Sequence, residues 1–511
     1  MKKISFFGLV IAFMTTAIFI VSCSQPLFPD GSTYPAGSEY DWNGEDIPGW
    51  NTDGRMTVAQ QLGWLRDNAP AGTHWNVWAW MRAPYETIDA SQDIHGVGGA
   101  AITVNLRTYS GYEGLANRRT LQLAEGIFMS MLNVQGDNTL ILGNIILQGR
   151  SSGNSAALVD VNAGTLEKRN YSEIRGHTGF DHTVSVGVGA SAGATFTMRG
   201  NSWITGNTVG VIVDGAVFYM RANARITSNN DTGVKLRDNG TLRMFNYANI
   251  SGNATFGLHS IGGSRIFMNN DARIGHNGRV RNFFGNYGNQ NGGVYLNSSY
   301  LIMRNNAQIY SNFVGVFMTG SPFLGSPLSR SQLSMYEYAA IHNNIGSGVR
   351  GLYNSHVYMY RYASIRNNNA GGVRLETLGA NSLNMHGYAR IFGNNVTEVG
   401  LFSGGGGVNL GSAFNNYLNI SGGTIYGRYR YTNPTPTLED PNLANIAEGG
   451  WATFHTLRSP NGISVGTYVP GPDFGTPGNF TPFAPPVSTV SNTNNTVRVR
   501  NNGAVHNSAH W

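Results

Sequence analysis

The amino-acid sequence predicts an all-β protein folded as a single-stranded, right-handed parallel β-helix, a solenoid with three short strands per coil and a short N-terminal capping helix. Three observations favour this fold class: a motif that returns eight times, an alternation of apolar and polar residues within each copy, and turns rich in glycine and asparagine. Glycine supplies 68 of the 511 residues, about twice its usual share of roughly 7%. Charged residues make up only 12%, but apolar residues still make up 41%, which is enough for a substantial core and argues against disorder.

The repeat is defined by a methionine and three positions at fixed distances from it. An apolar residue stands two positions before the methionine, an isoleucine six positions after it, and an asparagine three positions after the isoleucine. The methionines are Met198, Met220, Met244, Met268, Met303, Met335, Met359 and Met385. The isoleucines are Ile204, Ile226, Ile250, Ile274, Ile309, Ile341, Ile365 and Ile391. The asparagines are Asn207, Asn229, Asn253, Asn277, Asn312, Asn344, Asn368 and Asn394. Each copy also carries a later glycine followed by valine or leucine, at Gly210, Gly233, Gly257, Gly293, Gly315, Gly348, Gly372 and Gly407.

Within a copy the apolar residues alternate, as Leu242 with Met244 and Ala248 with Ile250, which is the period of strands with one buried face. A unit of about 22 to 26 residues with three such strands is typical of one coil of a parallel β-helix. The leucine-rich repeat is the nearest competitor, because A-x-I-x-x-N imitates part of its signature. The sequence lacks the flanking leucines and the helical segment of that repeat, so the β-helix is favoured.

Coils of a β-helix stack at about 4.8 Å, so equivalent residues form columns and each column must hold shapes that stack on themselves. Methionine and isoleucine are expected to fill layers of the core. A small residue is expected at the sharp bend, at Ser202, Ala224, Ala248, Ala272, Ala307, Ala339, Ala363 and Ala389. The asparagines are expected at a corner with left-handed backbone geometry, with each side-chain amide bonded to the next coil.

The repeat continues upstream in a weaker form. Leu166 and Ile174 keep their places, while Lys168 replaces the methionine and His177 the asparagine. TLILGNIILQG, around residues 140–147, predicts an earlier coil. We therefore expect a cap and first coils over residues 57–130, β-helix repeats over 131–427, and a C-terminal cap or irregular region rich in Pro and Gly over 428–511.

The N-terminus resembles an export signal. Lys2 and Lys3 precede an apolar run, and Ile20, Val21, Ser22 and Cys23 resemble the bacterial lipoprotein signal. The resemblance implies a signal peptide over residues 1–22, lipidation of Cys23, and an outer-membrane destination, because Ser24 stands where the retention signal would have aspartate. An uncleaved membrane anchor is the alternative. Cys23 is the only cysteine, so it has no disulfide partner within the chain.

A flexible tether is expected over residues 23–56, which are rich in Pro, Gly, Ser and Asp. Thr57, with Gln60 three residues later, then predicts a capping box that opens a short helix. Val58, Leu62 and Leu65 would share one face of that helix.

Together, the lipoprotein motif, the stretch TLILGNIILQGRSSGNSAALVDVNAGTLEKRN and the repeats resemble the repetitive right-handed β-helix surface lipoproteins of spirochaete-type bacteria, which are regarded as adhesin-like. NTNNTVRVRNNGAV is similar to their closing strand.

The neighbours of the methionine column should point outward, and several of them are aromatic or basic. They are Tyr219, Arg221, Arg243, Phe245, Phe267, Tyr336, Tyr358 and Tyr360. Tyr338, Tyr362 and Tyr388 should form a further column on three successive coils. Such a strip suits a polysaccharide, whose sugar rings stack on aromatic rings and whose carboxylates accept hydrogen bonds from arginine. The alternative is that the stacked aromatic residues only stabilise a sheet face.

Two insertions, GRVRNFFGNYGNQN after Asn277 and NVTEVGLFSGGG from Asn395, occupy the same place in the repeat and should leave the stack along one edge. They are either binding loops or insertions without a function that an exposed corner tolerates.

Catalysis requires acids that converge, but the acids of this sequence stand singly near predicted turns. They are Asp214, Asp231, Asp238, Glu376 and Glu398. Two histidine groups are candidate metal ligands, namely His177 with Asp181 and His182, and His506 with His510. Histidines in polar loops are more often solvent-facing, and we expect no metal or other cofactor.

These patterns favour a non-catalytic, lipid-anchored surface protein that binds glycan or host-cell components. The alternatives are a polysaccharide lyase or glycoside hydrolase on a β-helix scaffold, and a purely structural coat without a ligand. Nucleic acid is not expected as a partner, because only four residues, Lys2, Lys3, Lys168 and Lys235, are lysines and no basic run occurs.

Overall fold

The computed structural model describes residues 56–69, 75–109, 115–151, 156–178, 183–186, 193–278, 292–320, 330–376, 381–394, 408–410, 416–420, 424–426, 490–492, 495–499 and 504–506. Within these residues the chain forms the α-helix Val58–Asn68, the short 3-10 helices Val97–Gly99 and Leu115–Asn117, and strands in three sheets. No helix in this part of the chain is long and apolar enough to span a bilayer.

We call the three sheets A, B and C in the order in which each coil enters them. The strands of sheet A are Trp75–Met81, Ile102–Thr108, Thr139–Gly143, Thr165–Arg169, Thr195–Met198, Val217–Met220, Thr241–Met244, Arg265–Met268, Tyr300–Met303, Ser331–Met335, Ser355–Met359, Ser382–Met385, Asn416–Ile420, Asn495–Val499 and Val490–Asn492. The strands of sheet B are Tyr85–Ile88, Arg119–Leu123, Ile145–Gln148, Glu173–Arg175, Trp203–Thr205, Arg225–Thr227, Asn249–Ser251, Arg273–Gly275, Gln308–Tyr310, Ala340–His342, Ser364–Arg366, Arg390–Phe392, Thr424–Tyr426 and Ala504–His506. The strands of sheet C are Gln92–Ile94, Leu132–Gln135, Val159–Asn162, Val184–Val186, Val211–Asp214, Thr232–Arg237, Phe256–Ile261, Gly292–Asn297, Val314–Thr319, Val349–Leu352, Val373–Glu376 and Val408–Leu410.

Over residues 75–410 each coil gives one short strand to each sheet and pairs in parallel with its neighbouring coils. The predicted parallel β-helix with three strands per coil is therefore confirmed. Antiparallel pairing occurs at the end of sheet A, where Val490–Asn492 pairs with Asn495–Val499. The segment predicted to be a closing strand thus lies in sheet A beside Asn416–Ile420.

The interior consists of the predicted columns. All eight repeat methionines lie in register in sheet A, and each is fully buried, as Met244 is between Met220 and Met268. The repeat isoleucines form the equivalent buried column in sheet B, and the small residues are buried at the bend between the two sheets. Like side chains therefore cover one another along the rod, which is why the sequence must keep one shape at each position.

The repeat asparagines form a buried hydrogen-bonded ladder from Asn207 to Asn394. In each step the side-chain amide donates to the Oδ1 atom of the next asparagine at 2.8–3.2 Å. The backbone N–H of the same residue donates to the same oxygen, as from Asn229 to Asn253 at 3.1 Å. One carbonyl oxygen thus satisfies two buried donors, which makes asparagine specifically suited to this corner.

The expectation of left-handed geometry at these asparagines is wrong. The left-handed residue stands one position earlier in every copy, at Gly206, Ser228, Gly252, His276, Ser311, Asn343, Asn367 and Gly393. The preceding residue turns the chain, so the asparagine itself keeps ordinary backbone angles and points its amide along the rod axis. Its role is the hydrogen bond and not conformational tolerance.

The glycine that follows each asparagine is required by close packing. At Gly233 a Cβ atom would lie 2.8 Å from Asn253 Nδ2 and 2.7 Å from the carbonyl oxygen of Gly257. Real Cβ atoms do not approach other atoms so closely, so glycine is needed where the turn crosses the asparagine ladder.

The helix Val58–Asn68 caps the first coil. The predicted capping box is present, because Thr57 Oγ1 accepts a hydrogen bond from the Gln60 N–H and Gln60 Oε1 accepts one from the Thr57 N–H. Val58, Leu62 and Leu65 are buried as expected.

The helix also forms hydrogen bonds to the first strand of each of the three sheets. Buried Gln61 pairs with both backbone groups of Trp80 in sheet A, at 2.9 and 3.0 Å. The Val58 N–H donates to Glu86 in sheet B at 2.8 Å, and Arg66 donates to Gln92 in sheet C at 3.3 Å. At the edge of sheet A, Gln61 thus takes the place of a neighbouring strand for the backbone groups of Trp80.

The weaker upstream copies also hold their predicted places. Lys168 lies in the methionine column beside Met198, and His177 begins the asparagine ladder, since its N–H donates to Asn207 Oδ1 at 3.0 Å. Leu140 pairs with Leu166, and Leu147 pairs with Ile174, which confirms the earlier coil. Lys168 is fully buried, and its Nζ has no hydrogen-bond partner among the described residues.

Candidate functional site

The outer face of sheet A and the turn after it form the most concentrated candidate site among the described residues. On four successive coils the residues after the methionine enclose an open groove of about 440 Å³. We call it the tyrosine groove. It is lined by Arg304, Tyr336, Glu337, Tyr360, Arg361, His386 and Gly387.

One column of the groove is a continuous stack of planar side chains. The guanidinium of Arg304 lies 5.3 Å from the ring centre of Tyr336. The ring centres of Tyr336 and Tyr360 are 4.8 Å apart with the planes at 6°, and those of Tyr360 and His386 are 4.9 Å apart at 8°. The stack arises because Met303, Met335, Met359 and Met385 are in register, so the residue that follows each of them has the same position on its coil.

A second column runs beside the first, on the turn two residues later. Tyr338 and Tyr362 stack at 5.2 Å, and Tyr362 and Tyr388 stack at 5.3 Å. The structure thus places these three tyrosines in the column expected from the sequence. Tyr338 and Tyr388 are 62% and 64% exposed, whereas Tyr362 between them is 48% exposed because both of its faces are covered.

The stacking changes how this surface can contact a ligand. The sequence interpretation assumed that sugar rings would lie on the tyrosine faces, but the inner faces of both columns are occupied by neighbouring rings at about the coil spacing. The surface therefore presents ring edges and phenolic hydroxyls along its length. Hydroxyls can both donate and accept hydrogen bonds, so each coil adds one amphipathic contact.

Charges in the groove are mostly positive. Arg361 donates to Glu337 at 3.4 Å, and Glu337 also accepts from the backbone N–H of Asn305 at 3.3 Å. Arg304 is exposed and forms no ion pair in the described part of the chain. Burial raises the pKa of the Tyr360 hydroxyl, and the neighbouring tyrosines raise it further, so this group remains a neutral donor.

The other predicted residues fall into two groups. Tyr358 lies beside the groove, with its ring centre 6.5 Å from that of Tyr360. Arg221 and Arg243 lie elsewhere, in a cluster with Tyr219, Phe245 and Phe267 that we call the arginine patch. Arg221 contacts Tyr219 and Phe245 at 5.3 and 5.4 Å, and Arg243 contacts Phe267 at 5.1 Å.

A third aromatic cluster, at the N-terminal end of sheet A, was missed by the sequence analysis. The rings of Trp78 and Trp80 stack at 5.2 Å, Arg107 lies 4.6 Å from Trp78, and Arg82 lies 4.2 Å from Tyr109. The alternating tryptophans of WNVWAWMR were the available signal, since they stand on the outward face of a strand with buried Val77 and Ala79.

The interpretation that the acids stand singly is wrong for one pair. Sheet C pairs Asp214 with Arg237, so Asp238 lies next to Asp214 on the following coil. Burial raises the pKa of Asp214, and the charge of Asp238 and a hydrogen bond between the two side chains raise it further. Neither aspartate lines the tyrosine groove. Asp231 forms an ion pair with Lys235 at 3.0 Å.

The histidine expected to face solvent is buried. His177 occupies the asparagine corner, its Nε2 lies 3.0 Å from the carbonyl oxygen of Ala156, and burial lowers its pKa. Among the described residues no three His, Cys, Asp or Glu side chains come together as a metal site would require.

Several predicted features lie outside the described residues. They are the signal peptide with Cys23, the tether, both insertions, Asp181, His182, Glu398 and His510, together with the side chains of Glu376 and His506.

No family model matches the chain, and no curated protein matches it. A solved structure, the A-module of a mannuronan C-5 epimerase from Azotobacter vinelandii, aligns with 71% of this chain and 94% of its own length. The two are 11% identical, with a TM-score of 0.26.

Proposed function

We propose that this protein is a lipid-anchored rod on the bacterial surface and that its tyrosine groove binds polysaccharide without cleaving it. The observation that carries the proposal is the pair of parallel aromatic columns, Arg304 to His386 and Tyr338 to Tyr388, on one face of consecutive coils. A ligand that fits this face must be extended and must repeat along its own length. Its hydroxyl groups would exchange hydrogen bonds with the tyrosines, and its apolar ring faces would cover their edges.

The solvent exposure of the groove tyrosines favours a binding role for them over a purely structural one. Stacked rings that only supported the sheet would gain most by being covered, yet Tyr338 and Tyr388 leave more than half of their surface in water. Adjacent exposed aromatic side chains are typical of interaction sites.

A glycan array tests the proposal. The triple variant Tyr338→Ala, Tyr362→Ala, Tyr388→Ala should no longer bind the glycans that the natural chain binds. Tyr247→Ala is the matched control, because Tyr247 is 56% exposed and holds the same place in an earlier coil outside the groove. Absence of any glycan ligand, or equal loss in the control, would contradict the proposal.

The alternative is a polysaccharide lyase or glycoside hydrolase. Its support is the Asp214–Asp238 pair, which could share a proton as catalytic carboxyls do. The pair does not line the tyrosine groove, which argues against this alternative. Oligosaccharide products that disappear in Asp214→Asn would favour the enzyme.

Anchoring is tested separately from ligand binding. If Cys23 is lipidated, the natural chain should fractionate with membranes and incorporate labelled palmitate. Cys23→Ala should not incorporate palmitate and should retain ligand binding. Membrane association of the natural chain without palmitate incorporation would instead indicate an uncleaved anchor.

A further inference from the structure

The tyrosine groove and the arginine patch lie on the same outward column of sheet A. Strand register places Arg221, Phe245, Asn269 and Arg304 on successive coils, each directly after a buried methionine. The column then continues into the groove through Tyr336. At about 4.8 Å per coil, Arg221 lies roughly 14 Å from Arg304 and roughly 29 Å from His386 along the rod.

The arginines of this column are available to an anion. Arg221, Arg243 and Arg304 are exposed and form no ion pair within the described residues. Each lies against aromatic rings, at 5.1 to 5.4 Å. An aromatic ring holds the planar guanidinium in place without neutralising it, so its N–H groups remain free for a carboxylate or sulfate.

The column has a defined N-terminal limit. On the two coils before Arg221, Arg169 and Arg199 both pair with Glu167, so their charges are partly offset. On the other side, residues 292–394 contain seven arginines, two glutamates, and neither lysine nor aspartate. Among the described residues after Glu167, the exposed arginines of this column of sheet A that form no ion pair therefore begin at Arg221 and extend to Arg304 at the edge of the groove.

We infer that the ligand is an anionic polysaccharide, bearing uronate or sulfate groups, and that one chain of it occupies the arginine patch and the tyrosine groove together. The inference rests on the proposed function of the groove and adds the charge and the minimum length of the ligand. A chain that reaches both clusters binds the second one intramolecularly, so its affinity should rise steeply once it spans the gap.

The test uses the full chain and 1,4-linked oligogalacturonates of increasing length, with neutral cello-oligosaccharides of the same lengths. Affinity for the uronates, measured by calorimetry, should rise at least tenfold once the oligomer spans the roughly 19 Å from Arg221 to Tyr336. Binding should weaken with salt, because the contacts are between exposed charges.

Three variants separate the contributions of the two clusters. Arg221→Gln with Arg243→Gln should remove the rise in uronate affinity with oligomer length. Asp271→Asn should strengthen binding of long uronates, because Asp271 is the acid that the sequence places between the clusters, three residues after Met268. The triple tyrosine variant should weaken short and long oligomers alike.

The outcomes distinguish this inference from the proposed function. Binding that does not depend on length, or equal binding of neutral oligomers, overturns the inference and leaves groove binding intact. No binding of any oligosaccharide overturns both. Binding of a DNA duplex with equal affinity would show that the column recognises polyanions in general, and it would also overturn the assignment to polysaccharide.

Discussion

Asn253 gives both its backbone N–H and its side-chain amide to one atom, Oδ1 of Asn277, at 3.0 and 2.9 Å. Asn253 Oδ1 in turn accepts the same two bonds from Asn229 on the preceding coil. The residue is 1% exposed, so no water replaces a bond that is lost. Each coil is therefore tied to the next by a buried polar contact that carries directional specificity, while the apolar columns supply most of the burial.

Removal of one asparagine from the ladder should weaken the contacts of its coil with both neighbouring coils. In Asn253→Ala the two donors of Asn229 lose their acceptor and Asn277 Oδ1 loses both donors. We expect a loss of unfolding free energy on the order of 3 kcal/mol, since each unsatisfied buried group costs about 1–3 kcal/mol. Urea denaturation followed by circular dichroism measures it.

Asn246→Gly is the control for this prediction. Asn270 donates to Asn246 at 2.9 Å in an exposed ladder, where water can replace the bond, and glycine keeps the left-handed backbone of Asn246. Its cost should stay below about 1 kcal/mol. Similar losses in both variants would mean that burial does not determine the strength of the ladder.

Replacement of Gln61 should destabilise the N-terminal cap and the first coil locally. In Gln61→Leu the N–H and C=O of Trp80 lose their partner at the edge of sheet A. We expect amide exchange in the first coil to rise about tenfold or more, which corresponds to a loss of at least 1.4 kcal/mol of local stability. Exchange beyond Met198 should stay unchanged, and Gln60→Ala, which removes only half of the capping box, should have a smaller effect.

Lys168 is a buried exception in the methionine column, and Lys168→Met should stabilise the rod. The amine has no hydrogen-bond partner among the described residues, and Arg118 already binds the nearby Glu173 at 2.7 Å. Burying an unpaired polar group costs about 1–3 kcal/mol, so the free energy of unfolding should rise by that amount at neutral pH. The reciprocal variant Met198→Lys should destabilise the protein.

The increase in unfolding free energy from Lys168→Met should depend on pH. Burial places the pKa of Lys168 well below its ordinary value, so between the two values the unfolded chain binds a proton that the folded chain does not. The natural chain therefore gains stability as pH rises toward about 10.4, the pKa of a free lysine. The difference between the two proteins should shrink over that range, and a constant difference would show that Lys168 keeps its charge when folded.

The interior could be predicted from sequence because its positions repeat. Eight copies fixed the columns of Met244 and Ile250 and the ladder of Asn253, since a stacked column accepts only shapes that match themselves. The sequence does not identify the left-handed residue one position before each asparagine, because Gly, Ser, His and Asn all occur there and the column has no single residue type.

The exterior could be predicted only in part. Tyr338, Tyr362 and Tyr388 fell in one column as expected, but sequence spacing does not tell whether rings expose faces or stack on one another. Asp214 and Asp238 were read as separate because the turn from sheet C to sheet A lies outside the methionine, isoleucine and asparagine motif. Contacts there depend on register between strands that the motif does not mark.

Acid should destabilise the middle of the rod through His259 on the outer face of sheet C. Its ring lies 4.7 Å from Tyr295 and 5.6 Å from Phe256, and the neighbouring charged groups are Lys235, Asp231 and Arg237. Burial first, and the charge of Lys235 second, lower its pKa from 6.5 to about 4. Between these values the unfolded chain binds a proton that the folded chain excludes, so stability is present above pH 6.5 and is lost as pH falls toward 4.

The variant His259→Phe isolates this contribution, because phenylalanine suits a column that continues through Tyr295 and Phe317 and does not titrate. Between pH 7 and pH 4 the unfolding free energy of the natural chain should fall by on the order of 2–3 kcal/mol more than that of the variant. This follows from about 1.4 kcal/mol per unit of pKa shift. Urea denaturation at each pH measures both curves. Parallel curves would mean that folding does not lower the pKa of His259, and His342, whose pKa burial also lowers to about 4, would then be the next group to test.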